Sequence, residues 1–450
     1  MNKLLLSVLI TGAALTGNSY AALSSELEGR LLLLEQRVKQ AEARADKAEE
    51  KIQQRSHDDR TVNTAVADQQ KTPTDTQVLT LAGFNNLKLY GDVELNMDGA
   101  SRSGQLTSLK TSDDKHWKPG SHERWDINGR ILIGLDGYTR HDNGFFSGFT
   151  VQPLANINGN MNVDDAAFFF GEEKNWQAKV GRFEAYDMFP LNQDTFVEYS
   201  GNTANDLYSD GYGYIYMMKE GRGRSNSGGS FNLSKNIGNW YLELNTLLEE
   251  GTALFVDKRY HGNDLVSNKN AVYLRPVVAW KKEAFSAAVA MESNVVKNAW
   301  RYENAQGEMS DPSRRHGYGL TLSWNGQATD PQDGVIASFS TAYLDAQDEQ
   351  DFSIGANTLW RRFEIGYIYA HNNIEKFNSS SVIQDEGGVF DGAGKYSIHT
   401  VHTSYLFPDI MNMKNFNLYL GAYASLLNTA DAGSDGDTRY GMRARFKYFF

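Results

Sequence analysis

The sequence predicts an all-β transmembrane barrel of 16 or 18 antiparallel strands, 18 being favoured, preceded by a short parallel α-helical coiled coil. Three observations carry that expectation: a two-faced C-terminal stretch, connections of alternating length, and one unbroken heptad register near the N-terminus. From Thr438 to Phe450 every second residue separates into two sets. Tyr440, Met442, Ala444, Phe446, Tyr448 and Phe450 form one; Arg439, Gly441, Arg443, Arg445 and Lys447 form the other. Period-two alternation of this length means an extended strand whose faces meet different surroundings. An apolar face ending in aromatics, over a polar face, is the pattern of a strand with lipid on one side and a wet lumen on the other.

Composition fits many strands joined by polar loops: the 450 residues include 23 Tyr, 23 Phe and 41 Gly but only 8 Pro. The absence of Cys excludes disulfides, a thiol nucleophile and thiolate metal sites. A net charge of −12 argues against sequence-independent nucleic-acid binding. The mean hydropathy of −0.52 would place the chain in water, but a barrel presents only alternate residues to lipid, so the average does not decide.

Residues 1–21 read as an export signal. Lys3 supplies the positive start, Leu4 to Leu15 the apolar core, and Ser19-Tyr20-Ala21 a small-x-Ala site with cleavage before Ala22. That core is too short to span a bilayer as a helix, so an exported chain that crosses a membrane crosses it with strands.

Residues 22–55 read as a coiled coil. Leu27, Leu31, Leu34, Val38, Ala41, Ala45, Ala48 and Ile52 follow a 4-3 spacing without a slip. Arg30, Arg37, Arg44 and Lys51 take the g positions, and Glu35, Glu42 and Glu49 the e positions. That segregation matches a parallel, in-register assembly. Leu32 and Leu33 broaden the apolar stripe, which favours three strands over two, while the three seam Ala pack weakly. Residues 56–83 are polar and read as a flexible linker; residues 84–450 are the expected barrel.

Within the barrel, Leu87–Asn96 and Ile127–Leu135 alternate cleanly, and fifteen further segments follow to the closing strand. Trp176, Trp240, Trp280, Trp324 and Trp360 fall at strand ends, where an interfacial belt places them. Long and short connections alternate from both termini, and the two phases collide between Glu184 and Gly229. An even strand count therefore needs either an extra strand at Thr195–Ser200, giving 18, or Tyr212–Met218 inside one long loop, giving 16. If that loop folds inward, its acids Glu184, Asp187, Asp194, Glu198, Asp206 and Asp210 face a basic wall of Arg130, Arg182, Arg439, Arg443, Arg445 and Lys447, and a transverse field follows.

With the signal, the heptads, Lys179-Val180-Gly181-Arg182-Phe183 leading into an acidic loop, and the terminal Phe450, the chain resembles bacterial outer-membrane glycoporins of the sucrose and raffinose porin type. The resemblance spans nearly the whole chain. It implies a homotrimer among outer-membrane lipid and lipopolysaccharide, with the N-terminal segment in the periplasm. It further implies passive diffusion of oligosaccharides without cofactor or energy source, along a lane of aromatic rings with polar partners. Tyr90, Tyr419, Tyr423, Tyr241 and Tyr273 have the inward parity such a lane needs, and barrel closure is expected to bring the first three near one another. The glycoporins favour Trp in part of the lane, and no inward Trp is evident here.

Three other readings stay open. One is a general porin for small hydrophilic solutes. Another is a trimeric tether or adhesin. The third is an outer-membrane enzyme, whose only cue is Ser397 and His399 on one face. His399 and His402 point to opposite faces, and no HExxH, GxSxG, Walker or GxGxxG pattern occurs, so no metal or catalytic constellation is expected.

Overall fold

The computed structural model describes residues 84–101, 124–193, 195, 215–218, 224–225, 227–255, 258–304, 307–378, 393–429 and 437–450, with the backbone alone at 77–81 and a few strand-end residues. The expected signal, coil and most of the linker lie outside the described residues.

Sixteen strands form the wall. They are β1 (Phe84–Ala100), β2 (Arg124–Arg140), β3 (Phe145–Asn156), β4 (Met161–Glu172), β5 (Trp176–Arg182), β6 (Gly229–Ile237), β7 (Trp240–Glu249) and β8 (Ala271–Lys282). β9 (Phe285–Asn294), β10 (Arg315–Asn325), β11 (Val335–Ala346), β12 (Glu349–Trp360), β13 (Phe363–Ile374), β14 (Gly394–Phe407), β15 (Phe416–Thr429) and β16 (Asp437–Phe449) complete it. Each pairs antiparallel with its neighbours in sequence, and β16 pairs with β1 from Asp92↔Phe449 to Ala100↔Gly441. The closure is finished by the last residue: Gly91 and Phe450 exchange N–H···O bonds of 3.0 and 3.1 Å. Below that point the strand Gln77–Leu81 takes over the free edge of β1. A sheet that closes on itself leaves no row of unpaired backbone groups for lipid to meet, which is the condition for strands to cross a bilayer.

The strand count corrects the favoured 18. No strand is added at Thr195, which lies inside the lumen, and residues 215–218 of the supposed Tyr212–Met218 strand are non-strand backbone within one long connection.

The outer face of the barrel is predominantly apolar. Leu89, Val93 and Met97 on β1 and Ile127, Ile131 and Ile133 on β2 are all exposed, an arrangement that makes sense only against hydrocarbon. Trp240, Trp324, Trp360, Phe363, Tyr405, Phe407, Tyr448 and Phe450 ring the end that carries the short turns, and all of them face outward. Several of those turns are two residues long, with Glu283 and Arg361 at φ 55°. β3 kinks at a bulge between Val151 and Pro153, where a missing N–H is tolerated.

The connections at the opposite end are L1 (101–123), L2 (157–160), L3 (183–228), L4 (250–270), L5 (295–314), L6 (347–348), L7 (375–393) and L8 (430–436). Six are long; L2 and L6 are tight. L4 and L5 join through a two-residue ladder, Val266↔Arg301 and Ser267↔Trp300, and bury Trp300, Phe255 and Tyr260 together.

Candidate pore and its constriction

L3 turns inward directly after β5. Its outgoing leg starts at Tyr186, whose N–H donates to Glu243 on β7 at 3.1 Å. It then crosses the inner wall, with Met188 carbonyl on Thr321 of β10 and Pro190 carbonyl on Ser338 of β11. The tip is fastened at β13, where Glu364 accepts the backbone N–H groups of Asn192 at 3.1 Å and Gln193 at 2.7 Å. Gln193 also accepts from Ser404 on β14 at 2.7 Å. The last described residue of this leg, Thr195, lies at β16, where Arg443 donates to its carbonyl at 3.2 Å. The return leg lies on the same wall: Ser353 of β12 donates to the Tyr216 carbonyl, and Arg275 of β8 reaches the Met218 carbonyl at 3.3 Å and the Tyr186 carbonyl at 2.9 Å.

The wall makes room for both legs with glycine. A Cβ on Gly317 would strike the Tyr216 ring, one on Gly319 would press Met218, and one on Gly355 would meet Phe189 at 2.3 Å and Met217 at 2.6 Å. At the root of the loop, Arg182 donates to the carbonyls of Arg224 and Ser225, while Arg224 pairs with Asp164 at 3.3 Å, Asp165 at 2.9 Å and Glu184 at 2.8 Å.

L4 covers a further part of the lumen. Tyr260 and His261 stack at 3.8 Å, and both reach Glu349 at the rim of β12, at 3.1 and 3.2 Å. Tyr186 stacks on Tyr241 at 5.5 Å. Burial, with the Asp187 and Glu243 carboxylates beside it, pushes the Tyr186 phenol up to about 12.

What this covering leaves is the wall from β16 round to β4. A charged ladder runs along it, and most of its side chains are buried against one another. Arg443 binds Asp98 at 2.6 and 3.0 Å, Asn128 donates to Asp98 at 2.7 Å, and Arg445 donates to Asn96 at 2.9 Å. Lys447 lies 3.6 Å from Asp92 and 3.4 Å from Glu94. Beside the ladder stand half-exposed rings. Tyr90 donates to Asp136 at 3.1 Å and accepts from Gln152 at 2.8 Å, and Thr150 donates to Asp136 at 2.6 Å. Toward the short-turn end, Tyr138 stacks on Phe146 at 5.7 Å and Phe146 meets Phe169 at 6.4 Å. Their inward orientation follows from register: Phe146 pairs with Arg140, and Phe169 with Gly148 and Lys179.

The structure redistributes the expected site. Tyr90 lines the open wall. Tyr419 and Tyr423 also point inward, but β16 sets Tyr419 opposite Arg445 and thus level with Asn96, six residues above Tyr90. That separation is about 20 Å at 3.3 Å per residue, so the expected clustering of the three is corrected, and the charged ladder lies between them. Tyr241 and Tyr273 are inward, but they are 7 % and 4 % exposed beneath the loops and offer no open ring face.

Of the charges expected to set up a transverse field, the described ones have local partners. Arg443, Arg445 and Lys447 are matched by acids on the adjacent strand β1, and Arg439 is fully buried. Arg130 pairs with Asp92 at 3.7 Å, and Arg182 holds loop carbonyls. Among the acids, Glu184 pairs with Arg224 inside its own loop and Asp187 accepts the Phe189 N–H at 2.7 Å. Asp194, Glu198, Asp206 and Asp210 lie outside the described residues. Phe146, Phe169 and Tyr138 were not expected. Ser397 and His399 sit on the outward face, bonded to His371 and Tyr367.

A closed barrel with an apolar exterior, a polar lumen and an inward third loop defines a diffusion channel of the bacterial outer membrane. The chain belongs to the family described as "Porin-like glycoporin RafY", whose model matches residues 89–450. Among solved structures, the outer-membrane channel DcaP of Acinetobacter baumannii superposes with a TM-score of 0.52 at 12 % identity, over 82 % of this chain and 99 % of that one. The anion-selective porin from Comamonas acidovorans gives a TM-score of 0.48 at 13 % identity, over 81 % and 99 %. No curated protein sequence matches.

Proposed function

We propose that the channel carries oligosaccharides of the sucrose and raffinose kind into the periplasm by passive, facilitated diffusion. We further propose that it does so as a homotrimer, exported by a cleaved signal in residues 1–21 and carrying its coiled coil of residues 22–55 on the periplasmic side. The observation that carries the sugar reading is the row of half-exposed rings on the open wall, Tyr90, Tyr138, Phe146 and Phe169, flanked by Asp136, Thr150 and Gln152. A sugar presents apolar C–H faces between rings of hydroxyls. A lane for it needs aromatic faces for the first and close hydrogen-bond partners for the second. Tyr90 combines the two, because its phenol is tied at both ends of its hydrogen-bonding capacity while its ring rests over Gly134. From Tyr90 to Tyr138 the lane descends about 13 Å, four residues at 3.3 Å each, which is the length of a short oligosaccharide. Weak stacking suits passage, since a solute that binds tightly leaves slowly.

Planar-bilayer recording of the purified protein tests this. Conductance should appear in triplets, and sucrose or raffinose should block it. Y90A should raise the half-blocking sugar concentration about two- to tenfold, the loss of a ring contact of about 0.5–1.5 kcal/mol. Current insensitive to sugar would leave a general porin for small hydrophilic solutes, and a protein without conductance would sink the channel reading altogether.

A further inference from the structure

One row of the open wall crosses five strands in register: Asn417 on β15, Lys447 on β16, Glu94 on β1, Arg130 on β2 and Asn156 on β3. Glu94 stands at its centre. Its carboxylate lies 3.4 Å from Arg445 Nε and 3.4 Å from Lys447 Nζ, and it accepts from Asn96 Nδ2 at 2.9 Å. The neighbouring acid, Asp92, is 3.6 Å from Lys447 and 3.7 Å from Arg130. Just above, at the level of the L3 tip, Arg443 is matched by Asp98. Among the described residues, the strip below the tip therefore sets two carboxylates against three cations. Of these five side chains, Arg130 is the most open to the lumen, at 29 % exposure.

We propose that Glu94 is the residue that sets ion discrimination in this channel, by holding the strip beside the ring row within one charge of neutrality. The proposal rests on the channel reading. With Glu94 in place, ions of either sign meet a strip whose described charges differ by one. Without it, three cations face one carboxylate, and the strip becomes a local anion site. A single added charge about 7 Å from the ion path, through water and screened over a Debye length of about 10 Å at 0.1 M salt, shifts each ion's local concentration by about 1.6-fold in opposite directions. The Cl⁻/K⁺ permeability ratio should then rise about threefold.

The test is the reversal potential of the full chain in a KCl gradient. Relative to the unaltered channel, E94Q should raise the Cl⁻/K⁺ ratio about threefold and K447Q should lower it by a similar factor, with the E94Q/K447Q double variant returning near the starting value. E94Q keeps side-chain length and K447Q shortens it by one atom, so a role confined to holding the barrel together would alter thermal stability and leave the ratio unmoved. Should E94Q alone fail to fold, the double variant read against K447Q still decides, because loss of Glu94 must place it about threefold toward Cl⁻ of K447Q. An unchanged ratio in folded, conducting variants overturns the assignment of Glu94. Lack of conductance in the unaltered chain is the separate failure of the channel reading.

Discussion

Replacing Glu364 by alanine should loosen the tip of L3 without expelling the loop. Glu364 is 1 % exposed on β13 and accepts from the Asn192 and Gln193 backbones at 3.1 and 2.7 Å and from Asn357 Nδ2 at 2.6 Å. Hydrogen bonds to a charged acceptor contribute about 1.5–3 kcal/mol each, so the two backbone bonds tie the tip by about 3–6 kcal/mol. The body of the loop is held by more. Met188, Phe189, Leu191, Ile215, Tyr216, Met217 and Met218 are all 8 % exposed or less; at about 1.5 kcal/mol or more apiece their burial exceeds about 10 kcal/mol. E364A therefore releases residues 192–195 to sample other positions while both legs stay on the wall. E364Q keeps one acceptor and should fall between. In single-channel recordings, E364A should raise open-channel current noise while mean conductance stays within about twofold of the parent, since the constriction's bulk is burial-held. Protease should also nick the tip faster in detergent-solubilised protein. Unchanged noise and cleavage would show that Glu364 is not the anchor, and a several-fold jump in conductance would show that burial does not hold the legs.

Gly355→Leu attacks those legs directly. Its Cβ would meet Phe189 at 2.3 Å and Met217 at 2.6 Å, one residue from each leg, so conductance should rise several-fold in bilayers; parent-like conductance in a folded variant would contradict the path drawn for the loop. Alkaline pH should loosen the loop as well. The Tyr186 phenol is raised from 10.0 to about 12, first by burial and then by Asp187 and Glu243, so the neutral form favours the packed loop. That contribution is whole below pH 10 and is lost as pH climbs through about 12. Current noise should grow reversibly over that window and less so in Y186F. An onset below pH 10, or an identical profile in Y186F, would assign the change elsewhere.

Much of the barrel was legible because lipid and lumen impose a period of two on every strand that separates them. The same rule explains the strand miscounted at Tyr212–Met218. Tyr216 and Met218 lie against Gly317 and Gly319 while Met217 lies against Gly355. An extended segment pressed onto a wall alternates as a strand does, although its backbone bonds go to side chains and not to a neighbouring strand. Parity likewise placed Arg443, Arg445 and Lys447 inside. Their partners could not be read from β16 alone, because pairing with Asp92, Glu94 and Asp98 depends on closure register between chain ends 345 or more residues apart. Tyr241 and Tyr273 show the limit of parity: it tells which way a ring points and says nothing of what covers it. Phe146 and Phe169 show the opposite limit. Phe145-Phe146 and Phe168-Phe169-Phe170 are apolar on both faces, so alternation is silent, and only pairing with Arg140 and Lys179 turns one ring of each run inward.

Glycine in a strand interior usually weakens it by about 0.5–1 kcal/mol, so its positions on the lumen face mark where something else approaches the wall. On the side that L3 covers, Gly317, Gly319 and Gly355 admit Tyr216, Met218, Met217 and Phe189, all from the loop. On the open side, Gly134 and Gly148 admit Tyr90 and Phe169, both from neighbouring strands of the wall itself. One set lays a loop flat to narrow the lumen; the other lays rings flat along what remains. A ring resting on a glycine presents its free face to the lumen at small protrusion, so it can touch a passing solute without closing the path. The covered side fixes the width of the channel. The open side, with its rings over glycine beside the ladder centred on Glu94, is where the proposed sugar lane and the proposed ion discrimination both fall.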